Sequence, residues 1–477
     1  MALALILVPI VAALVAYAIP WNRWRPLVLP AGGLVHLVLA VAAIAGPPFT
    51  AFDRWFTLDP LGRLFLGLVS VLFFLCSLYA PGYLMLRAER MNRVFCACTL
   101  LALAMMTLVI LSHHLGLMWV GMEATTLACG PLLYFNRNPR STEATWKYLL
   151  IGSMGIALAL FGSFFLAYAA LHAGLESTLL FDDLVREAPQ LSRPWLHAAF
   201  VLLLVGYGTK MGLAPMHTWK PDAYGEAPGM VGALLAGGVT SCAFLAVLRF
   251  YQICHAAGEA AFARELLIVL GLLSMAVAAV FMVRQRDFKR LLAYSSVEHM
   301  GILVLGIGVG GPATFGALLH LINNAMTKGV LFLSAGNIHR AYGSKSSDEV
   351  RGAIRRLPLS GSLFLAGFLA ITGSPPGGPF LSEFTILSGA VSTGHFVVTG
   401  LFLLLLVTIF IGMGATVLAV VQGNSSEQAG ATDFHDSLLT AVPILLFMGL
   451  VLLLGVYIPP PLGSLLREAV QFLEAQP

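Results

Sequence analysis

Long apolar segments recur along the whole 477-residue chain and are separated by short polar connections. Each segment has about 18 or more residues, which as an α-helix is long enough to cross a hydrocarbon core roughly 30 Å thick. The pattern predicts about fourteen spans of some 20 residues each, centred near residues 11, 36, 71, 101, 124, 157, 204, 241, 274, 302, 325, 372, 409 and 447. We therefore predict an all-α polytopic membrane protein with no room for an extramembrane domain.

Composition and charge support this prediction. Hydrophobic residues make up 58% of the chain and charged residues only 10%, whereas an ordinary soluble domain carries roughly 25% charged residues. Most of the 27 lysines and arginines fall in the connections after odd-numbered spans. Basic loops stay on the cytoplasmic side, and an even number of spans puts both termini on the same side of the membrane. We therefore expect both termini outside, in a bacterial inner (cytoplasmic) membrane. The net charge of +4 then reflects topology, and nothing favours nucleic-acid binding.

Neither the cysteines nor the glycines indicate a cofactor. The six cysteines form no CxxC pair and all lie in or at the ends of apolar spans, so we interpret them as small packing residues. Gly306, Gly308 and Gly311 match GxGxxG, but no strand precedes them, so the dinucleotide interpretation is rejected. We expect no metal and no cofactor in this chain.

Charged residues inside apolar spans are the informative ones, because each costs at least ~2.5 kcal/mol at a helix centre. Glu123 lies in the middle of WVGMEATTL, and Lys210 lies in the middle of VLLLVGYGTKMGLAP. Opposite charges in a bundle of low dielectric constant are expected to approach each other. The pair is either a proton-handling site, which we favour, or a structural ion pair that joins two helices.

A polar stripe follows one face of the eleventh span. It consists of His320, Asn323, Asn324, Thr327 and Lys328, at helical positions i, i+3, i+4, i+7 and i+8. At 1.5 Å per residue the stripe is about 12 Å long, a good part of the hydrocarbon depth. Together with water these groups can relay protons; the alternative is that they are polar contacts between helices.

Two spans contain prolines at their centres, in GYGTKMGLAPMHTWKPDAYGEAP and ITGSPPGGPFLSEF. Proline removes a backbone donor and clashes with the preceding turn. Broken backbone at membrane depth is tolerated where it is buried in protein or lines a wet cavity, so breaks beside charged residues point to an ion pathway rather than to plain kinks. The prolines concerned are Pro215 in the first segment and Pro375, Pro376 and Pro379 in the second.

The charges and breaks suggest an internal repeat. An acid, a lysine and a charge at a break occur twice, as Glu123, Lys147 and Lys210, and again as Glu298, Lys328 and Glu383. An offset of five spans gives the two copies opposite membrane orientations, which is the inverted repeat of many transporters. The predicted division is 1–90 for helices 1 to 3, 91–255 for the first five-helix repeat (helices 4 to 8), 263–422 for the second (helices 9 to 13), and 436–477 for helix 14 and a short tail.

Several segments together resemble one known family. They are WVGMEATTL, EATWKYLLIGSMGIALALFG, GYGTKMGLAPMHTWKPDAYGEAP, QRDFKRLLAYSSVEHMG, HLINNAMTKGVLFLSAGNI and GSPPGGPFLSEF. The chain resembles the antiporter-like, proton-translocating membrane subunits of respiratory complex I and group 4 hydrogenases, and among these the hydrogenase-4 component F group is most similar. The motifs are densest between residues 115 and 390.

The resemblance implies two inverted five-helix units with broken helices 7 and 12, and a proton path along the membrane midplane. On matching positions, Glu123 is the acidic partner, Lys210 the lysine of helix 7, Lys328 the central lysine and Glu383 the terminal acid. The predicted relay further includes His320, Lys147, His217, Glu298 and His299. Other membrane subunits, antiporter-like or linked to a quinone or hydrogenase module, are the expected partners, together with a peripheral iron–sulfur or hydrogenase arm. This chain would carry no redox chemistry itself.

Three functions compete at this stage. The leading one is a proton-translocating subunit of a redox-driven complex. That complex would resemble either hydrogenase-4 and formate hydrogenlyase, or complex I. The second is a subunit of a multisubunit cation/proton antiporter, and the third is a structural membrane subunit that does not conduct. Departures from the family motivate the third: helix 8 offers only Thr240 and Ser241 where a lysine or histidine is common, and Gly377 replaces a common aromatic residue. Lys220 and Tyr224 also stand where relatives commonly have an apolar residue and a histidine.

Overall fold

The computed structural model describes residues 1–85, 87, 89–424 and 432–475, and these ranges are almost entirely helical. The last two residues of the predicted tail, 476 and 477, lie outside the described residues. Within the described ranges, the only strands are β1 (Thr50–Ala51) and β2 (Phe56–Thr57), which pair antiparallel as a short hairpin. The prediction of an all-α fold is confirmed.

The described ranges contain helices of very different lengths. In chain order they are α1 (Ala2–Ala18), α2 (Val28–Ala45), α3 (Pro60–Met85), α4 (Arg93–Leu111), α5 (Leu115–Leu133), α6 (Pro139–His172), α7 (Phe181–Glu187), α8 (Arg193–Met211), α9 (Trp219–Glu226), α10 (Gly229–Leu234), α11 (Thr240–Ala256), α12 (Ala260–Met282), α13 (Phe288–Val309), α14 (Pro312–Tyr342), α15 (Ala353–Arg356), α16 (Pro358–Ile371), α17 (Gly378–Ser392), α18 (Phe396–Val421), α19 (Leu438–Val456) and α20 (Pro460–Glu474). Short 3₁₀ turns occupy Arg25–Leu27, Tyr134–Asn136 and Ala188–Gln190, and the π-helical turn Leu235–Val239 joins α10 to α11.

The helices agree with the predicted spans. Among the described residues, nine helical segments are long and apolar enough to cross a membrane, and α1 and α16 are shorter apolar helices. Every predicted span centre lies inside a described helix except residue 372, which follows the last residue of α16. The membrane fold is therefore confirmed, whereas the total number of spans, the inverted repeat and the division into four segments stay predictions.

Two interruptions of helical structure lie at the predicted prolines. The first separates α8 from α9, where Gly212 adopts a left-handed conformation with φ of 79° and Pro215 follows. The second separates α16 from α17, where Gly373 has φ of 72° and three prolines follow within six residues. A positive φ ends a right-handed helix and is easily adopted by glycine, and proline supplies no N–H to continue it. Each break therefore follows from its local sequence.

Small residues bring α6 and α8 into close contact. A Cβ atom added to Gly206 of α8 would lie 2.6 Å from the backbone nitrogen of Ala159 in α6. A Cβ atom on Gly155 of α6 would lie 2.6 Å from Cβ of Thr209. Glycine at such an interface lets two helix backbones approach each other, as is common in membranes. The close approach holds the last turn of α8 against α6.

The continuous helix formed by α10, the π-helical turn and α11 lies in the centre of the protein. Its residues from Gly229 to Cys254 are all buried. It packs against α8 on one side, and against α14 on another. The helices that carry the predicted buried lysines therefore flank one shared central helix.

Candidate functional site

Lys210 lies in the last turn of α8, where the close contact with α6 buries it completely (0% exposed). Its Nζ atom donates a hydrogen bond to Oγ1 of Thr126 in α5 and a second, of 3.4 Å, to the hydroxyl of Tyr148 in α6. The ammonium also lies 4.7 Å from the centroid of the Tyr148 ring, within the range of a cation–π interaction. Three helices thus converge on this lysine.

Glu123 reaches Lys210 through Thr126. Its Oε2 atom accepts a hydrogen bond of 3.2 Å from the Thr126 hydroxyl, and its Oε1 atom accepts one of 2.5 Å from Ser153. In the described part of the chain, Glu123 and Lys210 form no direct ion pair within 4.0 Å. The predicted approach of the two charges is therefore mediated by one hydroxyl group, which accepts from the lysine and donates to the carboxylate.

Lys147 lies apart from this buried group. Its side chain is 41% exposed and forms ion pairs with Glu143, one helical turn earlier at 2.6 Å, and with Asp222 of α9 at 2.7 Å. Asp222 also pairs with Arg290. These residues line a polar cleft of 420 Å³, together with Lys345 and others. The structure therefore places Lys147 at the mouth of a charged cleft and not among the buried lysines.

Lys328 is the second fully buried lysine of the predicted relay. It is fully buried in α14, and its Nζ atom donates a hydrogen bond of 2.7 Å to Oγ of Ser295 in α13. Glu298 is buried one turn further along α13, with Oε2 lying 3.8 Å from Nε2 of His299. In the described residues Lys328, like Lys210, has a hydroxyl and no carboxylate within 4.0 Å.

Two of the three predicted histidines form a hydrogen-bonded chain. Nδ1 of His299 lies 3.0 Å from Nε2 of His320, and Nδ1 of His320 lies 2.9 Å from Oγ of Ser382 in α17. Asn323 donates to the same Ser382 hydroxyl over 3.3 Å, and to the carbonyl oxygen of Gly378 over 2.7 Å. Imidazole and hydroxyl groups can each both donate and accept, so the chain can pass a proton from α13 to α17.

Glu383 lies in α17, close to the two imidazoles and beside the second helix break. It is buried, and its Oε1 atom has no hydrogen-bond partner in the described part of the protein. Ligand atoms of Glu383, His299 and His320 all lie within 4.8 Å of one another. Two imidazoles and one carboxylate are a set that can also hold a metal such as zinc. The sequence predicts no metal, and the hydrogen bond between the imidazoles already occupies one nitrogen of each ring.

The side chains of the predicted polar stripe contact two different neighbouring helices. Its first members, His320 and Asn323, contact α17, whereas Lys328 contacts α13. Thr327 donates to a carbonyl of its own helix, and Oδ1 of Asn324 has no hydrogen-bond partner among the described residues. His217, in the first break, lies beside aromatic rings of α12 and α13 and makes no hydrogen bond to the buried groups above.

Five hydroxyl groups are candidate functional residues that the sequence did not identify. Thr126, Tyr148 and Ser153 surround Lys210 and Glu123, whereas Ser295 binds Lys328 and Ser382 lies beside His320. All five lie inside the segments that resemble the family. Buried serine and threonine in helices usually bond to their own backbone, so their presence alone does not identify them as partners of a lysine.

A separate charged cluster joins α3, α11 and the segment before α5. Asp59, just before α3, accepts a hydrogen bond from the buried Arg249 of α11, and its Oδ2 atom lies 3.2 Å from Nε2 of His113. Burial raises the pKa of Asp59, but the nearby Arg249 and His113 lower it by a larger amount. The pKa of Asp59 therefore lies below its usual range. The cluster neutralises a buried arginine at the end of the central helix.

The chain is similar to several known proteins over most of its length. Residues 112–412 match the sequence model of a family described as NADH:quinone oxidoreductase/Mrp antiporter, transmembrane. The chain is 34% identical over 441 residues to a hydrogenase-4 component F homolog of Methylacidiphilum infernorum, covering 89% of this chain and 91% of the relative. It is 31% identical over 398 residues to NADH-quinone oxidoreductase subunit N of Desulforudis audaxviator, covering 80% and 78%. A chain of the archaeal membrane-bound sulfane sulfur reductase has the same fold, with a TM-score of 0.87 at 22% identity over 99% of this chain and 97% of that one.

Proposed function

Because this chain belongs to the family of NADH:quinone oxidoreductase and Mrp antiporter transmembrane subunits, we propose that it is a proton-translocating membrane subunit of a redox-driven complex. Two similar relatives are named as parts of a hydrogenase and of an NADH-quinone oxidoreductase. The chain works beside other membrane subunits, and a peripheral hydrogenase or iron–sulfur arm supplies the electrons. It needs no redox cofactor of its own.

One observation carries the proposal: each of two fully buried lysines is bound by a hydroxyl group instead of a carboxylate. Lys210 is bound by Thr126, and Lys328 by Ser295. Burial favours the neutral amine of a lysine, whereas a nearby negative charge favours the ammonium. At Lys210, where the Glu123 carboxylate is one hydroxyl away, a small change in the position or protonation of that carboxylate alters the balance. Such lysines suit the gain and release of protons better than a permanent ion pair does.

The hydrogen bonds around Lys210 provide a path for the first transfer. The Lys210 ammonium donates to the Thr126 oxygen, and the Thr126 hydroxyl donates to the Glu123 carboxylate. After Glu123 has taken up a proton and Lys210 has become a neutral amine, both bonds reverse: a concerted shift moves one proton from the carboxyl group to the threonine oxygen and another from that oxygen to the lysine nitrogen. The hydroxyl is restored, Glu123 is a carboxylate again, and the Lys210 ammonium can give its proton to the next carrier.

The proposed route begins at the charged cleft that Lys147 and Asp222 line. The connections that border this cleft are predicted to be cytoplasmic from their basic residues, which places both termini on the outer side. The proton carriers then follow in the order Glu123, Lys210, Lys328, Glu298, His299, His320 and Glu383. His217 lies in the first helix break and would give protons access to the carriers at that break.

The experiment starts from the native complex, purified through an affinity tag on this chain after gentle detergent extraction, with its subunits identified by mass spectrometry. The complex is placed in liposomes that contain a pH-sensitive dye, and proton uptake is measured per electron transferred. We expect Lys328→Met to lower proton uptake at least about tenfold. The matched control is Lys289→Met, since Lys289 is equally buried but donates to the carbonyl of Ala227, away from the row of carriers.

Two results would overturn the proposal. One is normal proton uptake per electron by an assembled complex that carries Lys328→Met. The other is recovery of the chain with antiporter-type subunits alone, together with sodium-dependent proton exchange in the absence of any electron donor. The second result would identify a cation/proton antiporter subunit instead.

A further inference from the structure

The central helix offers no proton carrier between the two buried lysines. From Gly229 to Leu248 it contains no lysine, histidine or carboxylate. Its two hydroxyl residues, Thr240 and Ser241, donate to carbonyls of their own helix over 2.7 and 2.6 Å. A route from Lys210 to Lys328 therefore needs a carrier from a different element.

Lys220 occupies the required place. It lies at the start of α9, directly after the first helix break, and is fully buried (0% exposed). Its Nζ atom donates a hydrogen bond of 2.7 Å to the carbonyl oxygen of Met211 and one of 3.3 Å to the carbonyl oxygen of Ser296. Met211 directly follows Lys210, and Ser296 directly follows Ser295, which binds Lys328. The ammonium of Lys220 thus touches the backbone beside both lysines.

Two buried hydroxyls next to Lys220 have unused hydrogen-bonding capacity. In the described part of the protein, neither Oγ of Ser296 nor the hydroxyl of Tyr224 has a hydrogen-bond partner. Lys220 bonds to the carbonyl of Ser296, and its ammonium lies 5.7 Å from the centroid of the Tyr224 ring. Buried polar groups nearly always find a partner, which is often an ordered water. The surroundings of Lys220 can therefore hold the hydrogen bonds that a proton transfer needs.

We propose that Lys220 is the proton carrier that connects Lys210 to Lys328, in place of a basic residue in the central helix. The proposal rests on the proposed function. The Lys210 ammonium gives its proton, through a hydroxyl or a water molecule, to the neutral amine of Lys220, and Lys220 passes it on to Lys328. Each nitrogen that loses the proton keeps the electron pair, so no electrons are exchanged.

The contacts of Lys220 also allow a purely structural role, which the test has to separate. Met211 is the last residue of α8, and a cation at a helix C-terminus stabilises the unpaired carbonyls there. A structural cap needs a permanent charge or donor. A carrier must instead be able to lose its proton, and backbone carbonyls cannot take it. Arginine fulfils the first requirement and fails the second, because its guanidinium stays protonated in proteins.

The test compares three variants of Lys220 in the assembled complex in liposomes. Lys220→Gln keeps an N–H donor for the carbonyls without a titratable proton, Lys220→Arg keeps the permanent charge, and Lys220→His restores a titratable group. We expect the Gln and Arg variants to lose proton uptake per electron by at least about tenfold, and the His variant to recover part of it. The control is Lys289→Gln, which changes another buried lysine that binds a backbone carbonyl.

Each other outcome has a defined meaning. Normal proton uptake by Lys220→Arg would show that only the charge is required, and normal uptake by Lys220→Gln would show that no ionisable group is required; either result overturns the proposal. If an Arg or Gln complex fails to assemble while the His complex assembles and pumps no protons, Lys220 is a structural cap. If the Lys328→Met complex also pumps normally, the proposed function and the inference both fail. If only the Lys220 variants pump normally, the inference fails and the proposed function stands.

Discussion

Replacing Thr126 by valine removes the hydroxyl that connects Lys210 to Glu123 and keeps a side chain of similar shape. Thr126 accepts a hydrogen bond from Lys210 and donates one to the carboxylate of Glu123. The carboxylate retains its hydrogen bond from Ser153. The substitution therefore interrupts the connection between the two charges without leaving Glu123 unbound.

The magnitude follows from the contacts that are lost. A hydrogen bond to a charged group contributes about 1.5–3 kcal/mol, and each ~1.36 kcal/mol added to a barrier slows a step tenfold. If transfer through Thr126 limits translocation, the rate of proton uptake falls roughly 10- to 150-fold. Electron transfer in the peripheral arm is measured in parallel, because uncoupling predicts that it continues while proton uptake falls.

The neighbouring residue supplies a matched control. Thr125 is equally buried, but its hydroxyl donates to the carbonyl of Met122 in its own helix over 2.7 Å. Thr125→Val thus removes the same atoms from the same helix turn without touching the lysine. Equal proton uptake per electron in the Thr126→Val and Thr125→Val complexes would refute the reasoning, because the hydroxyl bridge would then have no part in transfer.

Two further predictions concern other contacts of the bundle. Asp59→Asn leaves the buried guanidinium of Arg249 without its carboxylate, and we expect a loss of about 3–5 kcal/mol in unfolding free energy. The loss would be visible as a lower melting temperature in detergent, and equal melting temperatures would contradict the prediction. Because the pKa of Asp59 is lowered in the folded chain, its contribution is present above about pH 4 and is lost as the pH falls further, so the difference between the two proteins shrinks on acidification. Ser382→Ala removes the hydroxyl that lies 2.9 Å from His320, and we expect proton uptake to fall roughly 2- to 10-fold. Thr385→Ala, which removes a hydroxyl bonded only to its own helix, is the control, and equal uptake in both would argue against the His320 route.

The charges inside apolar spans were predictable from the sequence, and their immediate partners were not. Glu123, Lys210 and Lys328 stand out because hydropathy cannot explain an ionised group in the middle of an apolar span. Which atom meets each ammonium depends on the rotation of neighbouring helices and on side-chain rotamers, and a periodic pattern contains neither. The sequence therefore suggested a direct approach of Glu123 and Lys210, whereas the structure interposes Thr126.

Depth along a helix was the second quantity that the sequence left open. Lys147 was predicted in the relay because it begins the sixth apolar span. In the structure α6 has 34 residues, which at 1.5 Å per residue is about 50 Å, well beyond a hydrocarbon core of roughly 30 Å. The first turns of α6 can therefore extend past the apolar layer, where Lys147 pairs with Glu143 and Asp222 beside the cleft.

The surroundings of Lys210 and Lys328 share an arrangement that the predicted repeat alone does not produce. Glu123 and Thr126 are three residues apart in α5, and Ser295 and Glu298 are three residues apart in α13, so in each helix the acid and the hydroxyl lie on the same face. A lysine from another helix binds the hydroxyl in both cases. The order along the chain is reversed, however, and a rotation that relates two repeats preserves chain direction. We therefore infer that the arrangement reflects the chemistry required at each lysine, and we expect changes at the hydroxyls to impair proton transfer.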